Sequence, residues 1–322
     1  MADLTTLNSD LVIYNRQAQT AYLERIQDVL EVFNASSQGA IVLRSEAIEG
    51  DLDREAFYKI GGELGHRNVN SDSSVEGKKI GADEKIGVKS PWKYGPYKTT
   101  EEAFKRRNRS VEEFAMLIGQ DAADATMAYM VQAAFASLGA AIGANANMVA
   151  SGSFSADGKK VLTKGMRKFG DRFGRIAMFG MDSATYFDLV DDAIDKKIYE
   201  EAGLVVYGGT PGTMGKPVLV SDRVPDNKIF GLQAGAVEIV ESQAPGFRLY
   251  PINEQENLAL GYRSEGAFNV NLLGYSWNSD ANVSPAPANP NLSQLGAGQN
   301  WRKYATSDKA TAGVVINVAS GS

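Results

Sequence analysis

The chain has 322 residues and 34.6 kDa, is 43% hydrophobic and 22% charged, and carries a formal net charge of −6. That balance fits a folded globular protein and argues against a dedicated nucleic-acid binder, which needs net or strongly clustered positive charge. No cysteine is present, so disulfides, thiolate metal sites and cysteine nucleophiles are excluded within the chain; no run approaches about 20 consecutive apolar residues and no basic-then-apolar leader opens the sequence, so the protein is expected to stay where it is made.

From Asp10 to about Asn34, the apolar residues Tyr22, Ile26, Val29 and Phe33 recur at spacings of four, three and four behind Asp10 as N-cap. They predict an amphipathic N-terminal helix. The stretch to about Thr99 is glycine-rich, charged and weakly hydrophobic. It reads as a two-stranded extension with its tip near Ser71 to Gly81 and a return strand through Ile86, Val88 and Trp92 to turns at Pro91 and Pro96. Such a long connection is hard to bury within its own domain, so it is expected to lean on a neighbour. Thr99 with Glu102, and Ser110 with Glu113, fit capping boxes that open two linked helices or one bent one. In the second, Phe114, Ile118, Ala122, Ala125, Tyr129, Ala133 and Ala136 form a single stripe whose alanines permit close approach, until Gly139 and Gly143 stop it.

Beyond a Gly- and Ser-rich turn, Arg175 to Met181 reads as a buried strand, and Asp182 or Ser183 caps a helix with Phe187, Val190 and Ile194 on one face. Gly215 to Pro225, Gly-Lys-Pro-Val-Leu-Val-Ser-Asp-Arg-Val-Pro, reads as a turn, a short buried strand over Val218 to Val220, and a second turn. Strands follow at Lys228 to Leu232 and Ala236 to Val240. Phe268, Val270 and Leu272 alternate with Asn269 and Asn271 as in a half-buried strand. Ser279 to Gly298 reads as a loop, and Val314 to Val318 as a last strand.

Chemistry-bearing patterns are weak. Thr210 to Pro217 fails as a phosphate loop, with Thr210 where the first glycine belongs and Pro217 where a hydroxyl residue would hold magnesium. His66, the single histidine, sits in a polar Gly-rich loop without a nucleophile turn. Asp182, Asp188, Asp191, Asp192 and Asp195 read as a cap and a solvated helix face, and Asp51, Asp53 and Glu55 lack the rest of a calcium loop. Lys105, Arg106, Arg107 and Arg109 read as a charged helix face pairing with acidic neighbours. No residue is assigned to catalysis, to a cofactor or to a metal.

Taken in order, the segments resemble the Hong Kong 97-type major capsid proteins of tailed bacteriophages. The resemblance rests on Gly215 to Pro225, the long helix from about Ser110, the strand and helix around Ile176 to Ile194, and the tail pieces Arg263 to Phe268, Asn289 to Leu295 and Asn300-Trp301. It is strongest from about residue 99 to 318. It implies an α+β fold with an N-terminal arm (1–40), an extended loop (41–98), a spine helix of a peripheral domain (99–150), an axial domain (151–250) and returning strands with a C-terminal tail (251–322). It implies self-assembly into pentamers and hexamers of an icosahedral head around double-stranded DNA, built in the bacterial host cytoplasm. A portal protein, a separate scaffolding protein and a decoration protein are the expected partners, with DNA touched only non-specifically and no membrane involved. Trp92, Tyr94 and Tyr97 are expected to be covered by a neighbouring subunit. The alternatives are an encapsulin-type compartment shell and, from another class, a soluble α/β enzyme using the 182–222 region.

Overall fold

The computed structural model describes residues 16–27, 33–34, 37–46, 48, 50–59, 66–74, 77, 80–107, 111–158, 160–195, 200–201, 204–205, 213, 215–252, 256–279 and 286–319. Its helices are α1 (residues 16–27), α2 (Glu101–Arg107), α3 (Val111–Gly143), α4 (Phe154–Asp157), α5 (Lys160–Arg167), α6 (Ser183–Asp195) and α7 (Leu292–Leu295). Its strands are β1 (Ile41–Ser45), β2 (Leu52–Lys59), β3 (Gly81–Thr100), β4 (Val149–Gly152), β5 (Ile176–Met181), β6 (Glu200–Glu201), β7 (Leu204–Val205), β8 (Val218–Val220), β9 (Lys228–Gln233), β10 (Val237–Ile252), β11 (Ala259–Leu272), β12 (Tyr275–Trp277), β13 (Trp301–Lys303) and β14 (Gly313–Val318).

A seven-stranded sheet runs β1-β10-β11-β12-β13, with β3 also on β11 and β2 on β3. A five-stranded sheet runs β4-β14-β9-β5-β8, and β6 and β7 form a small separate pair. The last strand therefore returns to the middle of the chain's second sheet, where β14 lies parallel to β4 and antiparallel to β9.

Helix α3 joins the two sheets into one core. Tyr129 meets Phe268 of β11 at 5.6 Å, and Phe135 meets Phe230 of β9 at 5.2 Å. Measured by average hydropathy instead of an unbroken apolar run, Glu113–Gly143 is long and apolar enough to cross a membrane, which run length alone misses. Its burial accounts for that composition: from Met130 onward nearly every side is covered, so the expected single stripe is too narrow. Within the stripe, Ala122 and Ala133 are buried as expected, while Ala125 is exposed.

Close approach to α3 occurs at Gly119. A β-carbon there would lie 2.4 Å from the carbonyl oxygen of Ala18 and 3.1 Å from the Ala21 methyl, so glycine is what lets α1 cross. Helix α1 buries Ala18, Ala21, Tyr22 and Ile26, and Arg25 reaches Asp124 on α3 at 3.0 Å. The Tyr22 hydroxyl donates to Glu241 of β10 at 2.9 Å, and burial, reinforced by that carboxylate, pushes the phenol well above its ordinary pKa. Asp10 and Val29 lie outside the described residues; Phe33 packs against the core. Gly119→Val is expected to lift α1 from α3 at a cost of roughly 1–3 kcal/mol. Hydrogen exchange over residues 16–27 reads this directly, and unchanged protection there would refute it.

Several expectations are corrected. Thr99 is not a helix cap: it pairs with Leu260 inside β3, and Glu102 instead binds Arg106 at 3.2 Å. Ser110 lies outside the described residues. Pro91 and Pro96 do not form turns: Pro91 pairs with Ala267 of β11, and Pro96 sits in a bulge of β3 between Tyr94 and Tyr97. Pairing with β2 ends at Val88, so both prolines occupy an edge, where a missing N–H is tolerated. The return strand does not depend on a neighbour for its backbone, since Val88 to Thr100 pair with β11 and Ile86 and Val88 are buried. Asn269 and Asn271 are not solvent-facing. On their side of β11 the segment before β2 covers the sheet, with Ile48 N–H donating to Ser242 and Lys89 Nζ to Ile48, while the Asn271 amide donates to Asp53 at 3.2 Å.

The expected 279–298 loop contains α7, closed by a capping box in which Gln294 N–H donates to Asn291 at 2.9 Å and Asn291 N–H to Gln294 at 3.0 Å. Leu295 is buried there, the Trp301 indole donates to its carbonyl at 2.9 Å, and the Trp277 and Trp301 rings meet at 4.9 Å. Farther along, Asp308 accepts from Lys303 at 2.5 Å and from Asn145 and Asn147 at 2.9 and 3.0 Å, tying the tail to the end of α3. Those bonds, that of Lys303 foremost, hold its pKa down at about 2.

Candidate assembly surface

Nothing among the described residues assembles a catalytic constellation. His66 is exposed at the hairpin tip. Most of Thr210 to Met214 lies outside the described residues; Gly215 and Lys216 lead into β8. Strand β8 is not fully buried as expected but is the edge of the five-stranded sheet, paired to β5 alone, with Val220 exposed. Ser221 and Asp222 belong to the turn after it, and Asp222 accepts from Ser183 at 2.5 Å. Asp182 caps α6, accepting from Thr185 N–H at 3.1 Å and from the Thr185 hydroxyl. Asp188 and Asp191 point to solvent. The buried face of α6 carries Thr185 and Leu189, whereas Phe187, on the face predicted to hold Val190 and Ile194, is 61% exposed. Asp53 binds Asn271, and Glu55 binds Lys85 at 3.2 Å.

What the surface offers is apolar area in projecting places. Strands β2 and β3 form an antiparallel hairpin from Leu52–Val88 out to Lys59–Gly81. Beyond it, every described residue of the tip is exposed, including Val69 and Ile80, and Tyr58 at the end of β2 is 75% exposed. At the base, β3 and α3 enclose a groove of about 450 Å³ between Pro91, Trp92, Tyr94, Ala125 and Tyr129. Trp92 and Tyr94 are half-buried in this chain. Tyr94 packs at a tilt on Tyr97 at 4.8 Å and edge-on to Tyr262 at 6.0 Å, and donates its hydroxyl to Asp121. Burial foremost, then that carboxylate, pushes its pKa well up. Tyr97 is 51% exposed. The structure thus brings the three predicted contact residues to one margin of the seven-stranded sheet, leaving Tyr97 most open. The groove itself was not legible in the sequence, because it depends on β3 lying along α3, which no local pattern encodes.

The sequence matches the family described as Major capsid protein 13-like over residues 10–315. No curated protein matches it. Among solved structures, the fold is similar to the capsid of the cyanophage P-SCSP1u (10% identity, 88% of each chain, TM-score 0.53). It is also similar to a structure from Microbacterium phage Oxtober96 (12% identity, 88% of this chain and 91% of that one, TM-score 0.53). A third likeness is to the mature capsid of bacteriophage PhiM1 (10% identity, 88% of this chain and 86% of that one, TM-score 0.50). At these identities the structural likeness carries the fold.

Proposed function

The chain belongs to the Major capsid protein 13-like family and has the Hong Kong 97-type capsid fold, and from that premise we propose how its surfaces build the head of a tailed bacteriophage. As a major capsid protein it assembles with copies of itself into capsomers, and these form the shell of the virion. The seven-stranded sheet with the first part of α3 is the peripheral domain. The five-stranded sheet, including the returning β14, is the axial domain; residues 1–40 are the arm, and within 41–98 the β2–β3 hairpin from Leu52–Val88 outward is the extended loop. The observation that carries the surface assignment is the exposure of Tyr58, Val69 and Ile80 on the projecting hairpin. A subunit alone leaves this apolar area in water, whereas a neighbour covers it in a large obligate interface. Tyr97, with Trp92 and Tyr94 behind it, adds a second contact at the base.

A portal protein, a scaffolding protein and a decoration protein are the further partners, packaged DNA is held without sequence readout, and assembly takes place in the host cytoplasm. The role is architectural, with no residue assigned to catalysis. No observation favours a compartment shell loaded with enzyme cargo, or a soluble enzyme.

Electron microscopy of the expressed protein, alone and with its neighbouring gene products, is expected to show uniform icosahedral particles. A monomer or small oligomer at every concentration and in every combination would overturn the reading.

A further inference from the structure

Helices α5 and α6 present oppositely charged faces at the two margins of the five-stranded sheet. Helix α5 packs on β14 and β4, at one edge, where its Gly165 meets Ile316 and Val314. Helix α6 follows β5, and the hydroxyl of its first residue, Ser183, donates to Asp222 in the turn after β8, at the other edge. Helix α4 touches both, so the three form one layer. Helix α5 lies on the face opposite α3, since Ile316 points to α5 while Phe230, paired with the preceding residue Val315, points to Phe135.

The outward side of α5 and the 3₁₀ segment after it (Gly170–Arg175) carry Lys160, Arg167, Lys168, Arg172 and Arg175, all exposed. The carboxylates here, Asp157 and Asp171, are already taken by Lys164 and Lys309, each at 2.5 Å. Lys216 adds another cation, its Nζ lying 3.4 Å from the Gly174 carbonyl. Amid these charges Thr163, Met166, Gly170 and Phe173 line an apolar pocket of about 270 Å³, with Phe173 48% exposed. So concentrated a positive surface on a chain of net charge −6 calls for an anionic partner.

The chain itself displays one. Ala184, Phe187, Asp188 and Asp191 recur at spacings of three, one and three, forming an exposed stripe on α6 with an aromatic ring between small and acidic side chains. A ring of identical subunits needs two different, mutually complementary surfaces on each copy. We infer that, around the capsomer axis, each copy seats the Phe187–Asp188–Asp191 stripe of α6 on the neighbour's basic α5 patch, with Phe187 entering the pocket at Phe173. The inference rests on the capsid assignment. It favours a second copy over DNA because the pocket supplies apolar contact that phosphates do not use, and because the complementary stripe lies at the opposite edge of the same sheet.

The test combines charge reversal with cross-linking. Arg167→Glu with Arg172→Glu, and separately Asp188→Lys with Asp191→Lys, are expected to abolish shells while circular dichroism and melting stay native. All four substitutions together are expected to restore particles. Because the chain has no cysteine, Phe173→Cys with Phe187→Cys gives a clean probe. Assembled particles oxidised with copper-phenanthroline should yield a ladder of covalent multimers on non-reducing gels. Shells that form without any ladder overturn the contact. So does a basic-reversal variant that assembles normally and packages less DNA, which would turn the patch to the genome. If reversal prevents folding, the cysteine pair, at two exposed positions, decides alone. Failure of the unmodified protein to form any particle would count against the capsid assignment itself.

Discussion

Replacing residues 61–79 by a short Gly-Ser turn is expected to leave a folded subunit and to abolish shells. The described residues between Lys59 and Gly81 are all exposed, and the hydrogen bonds they show are local, from Asn70 N–H to Asn68 and among Ser71 and Ser73. Removing them takes no buried side chain from the core. A shorter connection lowers closure entropy only slightly, since each halving of a loop is worth about 0.6 kcal/mol. The stalk below is different. Phe57 packs on Tyr304 at 4.9 Å, Asp83 binds Arg302 at 2.9 Å, and the Ser276 hydroxyl bridges Ile86 N–H at 2.6 Å and the Glu84 carbonyl at 2.9 Å. A deletion running on to residue 98 would remove the β3 half of the β3–β11 ladder and is expected to unfold the sheet. For the shorter excision, the melting temperature should stay near native while micrographs show no particles; shells at native yield would show that the tip takes no part in assembly.

Where the sequence was legible, a local pattern had one structural reading. The long helix, the Arg175 to Met181 strand and the final strand were of this kind; the hairpin was too, although its tip, expected near Ser71 to Gly81, begins already after Lys59. Period-two alternation at Phe268 to Leu272 was misleading because a polar face is the same in sequence whether water or other polar groups cover it, and here Asp53, Lys89 and the backbone at Ile48 lie on that side. Helical spacing links Phe187 to Val190 and Ile194 as well as it links Thr185 to Leu189, and nothing local in the sequence decides which of these faces is buried. The Asn291 and Gln294 capping box is a local signal, but it is obscured inside a stretch dominated by Pro, Asn and Ser. The basic α5 face had a signal too, five exposed cations between residues 160 and 175, but they are interleaved with the apolar residues of α5 and so do not form a run. Which surfaces meet a neighbour could not be read at all from one chain, beyond the rule that exposed aromatic and aliphatic side chains on a projecting element want cover.

Phe135→Ala is expected to be the most damaging single substitution in the core, costing roughly 3–5 kcal/mol from lost burial and the cavity left behind. Its ring is fully buried, edge-on to Phe230 at 63°, and lies over Gly180, where a β-carbon would come within 2.7 Å of it. The five-stranded sheet has therefore been cut back at Gly180 to fit this ring, and neither Gly180 nor the α3 backbone can close the gap when it goes. Against a typical total of about 5–15 kcal/mol, that loss is a large share of the stability. It also falls where the two sheets are coupled. Tyr129, less than two turns earlier on α3, packs on the seven-stranded sheet, so α3 transmits the state of one sheet to the other. The variant should melt on the order of 10 °C lower, and hydrogen exchange should report the loss in β9 and β5 first. Gly180→Ala should fail in the opposite sense, by overpacking the same contact at about 1–3 kcal/mol, and Phe135→Leu should recover part of the loss of Phe135→Ala. A cost for Phe135→Ala below about 1 kcal/mol would mean that the contact is not tightly packed, and that the coupling of the two sheets through α3 must reside elsewhere.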